Sequence, residues 1–245
     1  MALSTERVTI PVAGGGSMGG YLARPEGGGT HPGVVVFMEI FGINSHIRDV
    51  VERVAGEGYA VLAPDFFHRT GPGVEYGYDD EGMGQGMVLL GQLDADEMSA
   101  DARAAVAFLR GRSDVSDKVG AMGFCIGGHM TYLAACETDV DAAASFYGGG
   151  IAAPQGPGGK VATLERTGEI GGRILCLFGA EDGMIPQDQV AAIRAALEAA
   201  GTRHEVVVYP GADHGFFCDQ RGTYQKEAAA DAWTRVKALF GEELA

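Results

Sequence analysis

Gly123-Phe124-Cys125-Ile126-Gly127-Gly128 decides how this chain is read. These six residues follow a mostly apolar run, Lys118-Val119-Gly120-Ala121-Met122, with the composition of a buried strand. They precede residues 129–136 (His129 to Cys136), whose composition predicts a helix. A nucleophilic side chain between small residues at a sharp strand-to-helix turn is the arrangement of a nucleophile elbow. Its glycines have a physical purpose: the turn holds the nucleophile at strained backbone angles, and neighbours without side chains let helix and strand close around it. The helix N-terminus presents free N–H groups and positive potential to a thiolate or a developing oxyanion. Serine is the usual occupant of such an elbow, so the thiol of Cys125 is the distinguishing feature.

Outward from the elbow, apolar and β-branched runs alternate with segments of helical spacing. Residues 7–13 and 18–24 are expected to be two short strands across the glycine turn 14–16, and 33–38 a strand covered on both faces. Helical spacing at 47–55, a strand at 59–63 stopped by Pro64, and an amphipathic helix at 98–110 follow. Beyond the elbow come strands at 142–146, 173–178 and 205–209, with helices at 186–200 and 226–240. This alternation predicts a mostly parallel central sheet with helices on both faces, and the lack of a linker-like break predicts one domain over residues 1–245. Two glycine-rich stretches, 70–93 and 148–172, fit no period and are expected to be rim or lid loops.

Composition excludes several classes. Thirty-three acidic against eighteen basic residues give a net charge of −15, which repels phosphate backbones and anionic lipid. Binding to nucleic acid or membrane is therefore not expected. No apolar run reaches the ~18 residues of a membrane span, and Met1 to Arg7 lacks the basic and apolar regions of a secretory signal. Cys125, Cys136, Cys176 and Cys218 are scattered without a C-x-x-C pair, which fits free thiols in a reducing cytoplasm. The glycine clusters 14–16 and 27–29 lack the pattern of phosphate cradles and are turns, and six dispersed histidines have no metal-ligand spacing. No metal and no cofactor are expected.

A thiol nucleophile needs a base, and the base an orienting acid. Behind a nucleophile elbow these follow in the chain order nucleophile, acid, base. Asp182 stands just beyond the strand that ends at Phe178, and His214 just beyond the next one, so both are expected beside Cys125 at the carboxyl edge of the sheet. Glu181 and Asp213 are the local competitors. Asp182 is preferred because it lies in an Asp-x-x-x-Pro turn before the next helix, whereas Asp213 adjoins the histidine and points poorly toward its ring. His129, four residues into the helix behind the nucleophile, is expected to be a packed histidine. Glu39 ends the strand 34–38 and brings a second carboxylate to the same edge, as an acid or base able to reach the thiol or as a simple cap. The N–H groups of Ile40 and Ile126 are the candidate oxyanion hole.

With these residues in view, the chain resembles the dienelactone hydrolase (carboxymethylenebutenolidase) family of the α/β-hydrolase fold, from about Thr9 to Phe240. The resemblance rests on Glu39-Ile40-Phe41-Gly42, Ala63-Pro64-Asp65, the cysteine elbow, Phe146-Tyr147-Gly148 and Pro210-Gly211-Ala212-Asp213-His214-Gly215-Phe216. It implies a hydrolase of a small-molecule ester or lactone, working as a monomer or small homo-oligomer through an acyl-enzyme on Cys125. His214 would be the base and Asp182 its partner, and the resting thiol would be hydrogen-bonded to Glu39. It also implies that Tyr147 and Phe41 line the pocket and that Arg221 is a substrate-binding cation. The family's founding members hold a substrate carboxylate with two arginines. Here no Lys or Arg occurs between Arg69 and Arg103, Cys218 stands where the second arginine is expected, and Arg221 comes three residues later. A carboxylate without a cation is poorly compensated, which favours a neutral or differently charged ester or lactone over dienelactone. A general esterase or thioesterase, or a non-catalytic binding or thiol-sensing protein, is the alternative on the same fold.

Overall fold

The computed structural model describes residues 2–245 and contains one eight-stranded sheet. In chain order the elements are β1 (Leu3–Val12), β2 (Gly16–Pro25), β3 (His31–Phe37), α1 (Ser45–Gly56), β4 (Ala60–Pro64), α2 (Asp80–Leu90), α3 (Ala95–Arg110) and β5 (Val115–Phe124). Then come α4 (Ile126–Glu137), β6 (Ala142–Phe146), β7 (Arg173–Gly179), α5 (Gln187–Ala200), β8 (His204–Tyr209) and α6 (Lys226–Glu243). The strands lie in the order β1-β2-β4-β3-β5-β6-β7-β8. β1 pairs antiparallel with β2 and β2 with β4; every later pairing is parallel. This is the mostly parallel sheet expected from the alternation of elements, in the α/β-hydrolase arrangement that the resemblance implies.

The parallel strands read as continuous apolar runs because both faces are covered: all of β4 and β6, and β3 from Gly33 onward, are buried. α4 behaves likewise, with Ile126 to Cys136 buried on every side. A helix apolar all round can lie only inside the molecule. It comes that close to the sheet because Gly127 has no side chain: a Cβ there would meet the Phe37 carbonyl oxygen at 2.3 Å and that of Met38 at 2.4 Å.

Three expectations change. α4 begins immediately after Cys125, at Ile126 rather than near His129. α3 begins at Ala95 because Asp94 caps it, its side chain accepting from the N–H groups of Asp96 and Glu97 at 2.9 and 3.4 Å. The stretch 70–93 is not irregular throughout, since it contains α2, capped by Asp79 through the Gly82 N–H at 2.8 Å. Gly82, Gly84 and Gly86 lower its helix propensity and hide it from a reading of pattern alone. The stretch 148–172 is largely loop, with 3₁₀ turns at Pro157–Gly159 and Thr163–Glu169.

Candidate active site

β5 delivers Cys125 to the carboxyl edge of the sheet in a strained backbone conformation, φ 58° and ψ −121°. Such a non-glycine conformation costs on the order of 1–3 kcal/mol and persists only where its surroundings enforce it. They do so here. The Cys125 N–H donates to the Phe146 carbonyl at 3.1 Å, and its own carbonyl accepts from Gly128 and His129 at 2.9 and 3.2 Å. Gly123 lets the turn close, since a Cβ there would lie 2.3 Å from the Gly127 carbonyl oxygen. The thiol is left half-buried at the N-terminus of α4.

β7 and β8 bring the other two predicted residues to the same edge. Asp182 and His214 are both buried, and His214 Nδ1 donates to Asp182 Oδ2 at 2.8 Å. Asp182 is itself held by the Met184 N–H on its other oxygen, at 2.9 Å. The competitors fall away: Glu181 is exposed, and Asp213 Oδ1 accepts from the His214 backbone N–H rather than the ring, at 2.6 Å. The other ring nitrogen of His214, Nε2, is buried and has no hydrogen-bond partner of ordinary geometry among the described residues, although the Cys125 thiol is near enough to act on the ring. Burial pushes the imidazolium down, but Asp182 and the neighbouring Cys125 outweigh it and raise His214 to about 10.

Cys125, Ile126, His129 and His214 share one open cleft of about 350 Å³. Its remaining walls are Leu90 from α2, the segment 149–157 and Met184. Among the described residues, no lysine or arginine lines it. His129 is the packed histidine expected: Nδ1 donates to the Gly149 carbonyl at 2.8 Å, and Nε2 accepts from the Thr163 hydroxyl at 2.7 Å. Burial lowers it to about 4.

Glu39 is fully buried at the end of β3. Both oxygens are taken, Oε1 by Arg221 Nη1 at 3.1 Å and Oε2 by the Tyr78 hydroxyl at 2.9 Å. The resting hydrogen bond between thiol and Glu39 that the resemblance implies is therefore not made. Arg221 reaches Glu39 over Gly215, where a Cβ would meet the guanidinium at 2.6 Å, and it lies against the rings of Phe41 and Tyr78. Tyr147 and Phe41, expected on the pocket wall, are instead buried behind it. Tyr147 packs edge-on to the His214 ring at 5.1 Å between centroids, and Phe41 edge-on to Tyr78 at 4.6 Å.

Sequence spacing did not anticipate that Glu39, His46 and Cys218, all buried, place ligand-type atoms within 4.8 Å of one another. Both ring nitrogens of His46 are without a partner, and burial with the nearby Glu39 raises the Cys218 thiol to about 11, so it keeps its proton. Such N, O and S donors could in principle hold a soft divalent ion, but Arg221 and Tyr78 already occupy the carboxylate.

A buried acid on a histidine, with a thiol at a strained elbow beside them, has the composition of a nucleophilic catalytic triad. Residues 18–244 match the model of the dienelactone hydrolase family. The chain belongs to that family. Among its relatives, a candidate carboxymethylenebutenolidase of Synechocystis sp. is 46% identical over 244 residues, covering 99% of this chain and 98% of the relative. The crystal structure of a candidate dienelactone hydrolase from Klebsiella pneumoniae superposes with a TM-score of 0.89 at 33% identity, covering 99% of this chain and all of the other. A dienelactone hydrolase-like promiscuous phosphotriesterase from metagenomic libraries superposes at 0.82 with 27% identity, both chains fully covered. Among the described residues of this family member, no helix is long and apolar enough to cross a membrane.

Proposed function

We propose that this dienelactone hydrolase family member cleaves carboxylic esters or lactones of neutral small molecules, with Cys125 as nucleophile. The observation that carries the reading is the Asp182–His214 hydrogen bond of 2.8 Å, which leaves Nε2 unpartnered in the cleft that Cys125 also lines.

The proton of the thiol passes to His214 Nε2 before the attack, since the raised basicity of His214 keeps it there and Asp182 stabilises the imidazolium. Cys125 Sγ then attacks the carbonyl carbon as the thiolate. The tetrahedral oxyanion lies against the N–H of Ile126, among the first four of α4 and so without an intrahelical partner, and that of Ile40. Collapse breaks the carbon–oxygen bond, and His214 returns its proton to the departing alkoxide, leaving a thioester on Cys125. A water then gives a proton to His214 and attacks the thioester, and collapse breaks the carbon–sulfur bond, releasing the acid and restoring the Cys125 thiolate beside the His214 imidazolium. Glu39 is bonded to Arg221 and Tyr78, so its first role in this reading is to hold Arg221 out of the cleft. A cleft without a cation in a chain of charge −15 supports a neutral substrate over dienelactone.

The test is steady-state hydrolysis of p-nitrophenyl acetate and cis-dienelactone by the wild type and by Cys125→Ala, with intact mass after rapid quenching. The expected result is a preference for the neutral ester, one acyl adduct that maps to Cys125, and loss of turnover by about 10⁴-fold or more in the variant. Turnover retained by Cys125→Ala would overturn the nucleophile, and a large preference for dienelactone would overturn the substrate class.

A further inference from the structure

Among the described residues, six large apolar side chains are exposed: Met83, Met87, Val88, Val161, Met184 and Tyr224. Four of them belong to segments that contribute wall residues to the catalytic cleft. Met184 is part of its wall. Val161 adjoins Gly156, another wall residue, whose Cβ would meet the Val161 carbonyl oxygen at 2.6 Å. Met83 and Met87 lie on α2 together with Leu90, which also lines the cleft.

The spacing of these three decides where the patch leads. At 100° per residue, positions 83, 87 and 90 fall within about 60° of one another and form one stripe along the helix. The buried face beside it is Gly82, Gly86 and Leu89. Gly86 presses α2 onto the loop that carries Ile40, since a Cβ there would lie 2.7 Å from the Ile40 carbonyl oxygen. The stripe therefore starts at the cleft wall and runs outward along a helix seated over a candidate oxyanion residue. From Leu90 to Met83 it covers about 10 Å, the length of an extended acyl chain of roughly eight carbons. Val88 lies about 100° further round and outside the stripe.

Isolated exposed apolar residues need no explanation, but a contiguous patch at a site does. The helix cap and first turn, Asp79, Asp80 and Glu81, together with the net charge of −15, disfavour an anionic occupant. We propose that the Met83–Met87–Leu90 stripe, which begins at the cleft wall that Leu90 shares with Met184, is an acyl-chain subsite that selects esters with an apolar acyl group of about eight carbons. The proposal rests on the reading of Cys125 as the residue that becomes acylated. The acyl chain leaves the thioester carbon past Leu90 and lies along α2.

The test is a series of p-nitrophenyl esters from acetyl to dodecanoyl, measured on the wild type, Met83→Ser/Met87→Ser, Met83→Leu/Met87→Leu and the same-helix control Val88→Ser. A fully buried methylene is worth about fourfold in kcat/KM, and a half-open trough yields less. The expected result is a rise of tenfold or more from acetyl to octanoyl and a plateau beyond it. The serine pair should lower octanoyl turnover about tenfold and leave acetyl turnover within twofold. The leucine pair and Val88→Ser should behave like the wild type. A flat chain-length profile, or equal loss on acetyl and octanoyl esters, would overturn the subsite. So would a change in oligomeric state by light scattering with the profile intact, which would assign the patch to a second copy of the chain. Calorimetric binding of octanamide and acetamide to Cys125→Ala reads the subsite without turnover. Preference for octanamide that is lost in the serine pair would uphold it even if the nucleophile were wrong, and equal affinities would overturn it.

Discussion

Two histidines line the same cleft, and their surroundings pull them in opposite directions. His129 comes from the second turn of α4 and spends both ring nitrogens on neutral partners, the Gly149 carbonyl and the Thr163 hydroxyl. Burial then dominates and lowers it to about 4, so it stays neutral and fixed in one tautomer. His214 comes from the loop after β8 and is nearly as buried, but one nitrogen meets the Asp182 carboxylate and the other is free. It is raised to about 10. Burial is common to both, and the charged partner separates them. One imidazole is a structural strut between α4 and the 148–172 segment; the other is equipped to move a proton.

That contrast can be broken most directly by removing each ring. His214→Asn is expected to lower kcat/KM for p-nitrophenyl acetate by about 10⁴-fold or more, and His129→Phe by no more than about threefold. Comparable losses in the two variants, both folded by circular dichroism, would erase the distinction. Asp182→Asn comes next, with an expected loss of about 10³–10⁴-fold in kcat, because the amide neither stabilises the imidazolium nor holds the right tautomer. A loss below tenfold would mean that another carboxylate orients the ring.

Stability against pH sharpens the same comparison. An unfolded histidine titrates near 6.5. Between about 4 and 6.5 unfolded His129 binds a proton that the folded ring refuses. Its contribution is therefore present above 6.5 and is lost as pH falls toward 4, on the order of 3 kcal/mol over the whole window. His214 has the opposite sign: its stabilisation is present below 6.5 and is lost as pH rises through about 10. Urea unfolding of His129→Phe should show a flatter acid arm than wild type, and that of Asp182→Asn a flatter alkaline arm. If each variant changed the other's arm, the assignment would be reversed. The smallest expected effect is that of Thr163→Val, which leaves His129 Nε2 without its donor. It should cost about 1–3 kcal/mol at pH 7 with kcat unchanged within twofold.

The three predicted triad positions came together because their signals are local. A cysteine between glycines, an aspartate after one strand and a histidine after the next each mark a strand end, and a parallel sheet carries successive strand ends to one edge. The Glu39 cluster was only partly legible. Glu39 was visible as a carboxylate closing an apolar strand, but its tie to Arg221 spans 182 residues and depends on the absence of a side chain at Gly215. His46 and Cys218 gave no sign of meeting it, since nothing in their spacing links them. The helix within 70–93 was hidden for an energetic reason. Gly82 and Gly86 weaken it locally and are needed for backbone contact with Gly77 and Ile40, a requirement seen only once the partners are in place.

By itself, the amino-acid sequence determined the alternation of buried strands and helices, the elbow at Cys125 and the order in which Asp182 and His214 follow it. Hydrophobic period and glycine placement act over a few residues, so they are written in the chain. Tertiary structure decided which charges meet: Glu39 with Arg221 and Tyr78 rather than with the thiol, and His214 with Asp182 while His129 stays neutral. It also drew Leu90, the segment 149–157 and Met184 from three separate parts of the chain to one cleft wall. Electrostatics and surface patches depend on distance through space, and that distance is set only when the sheet and its loops close.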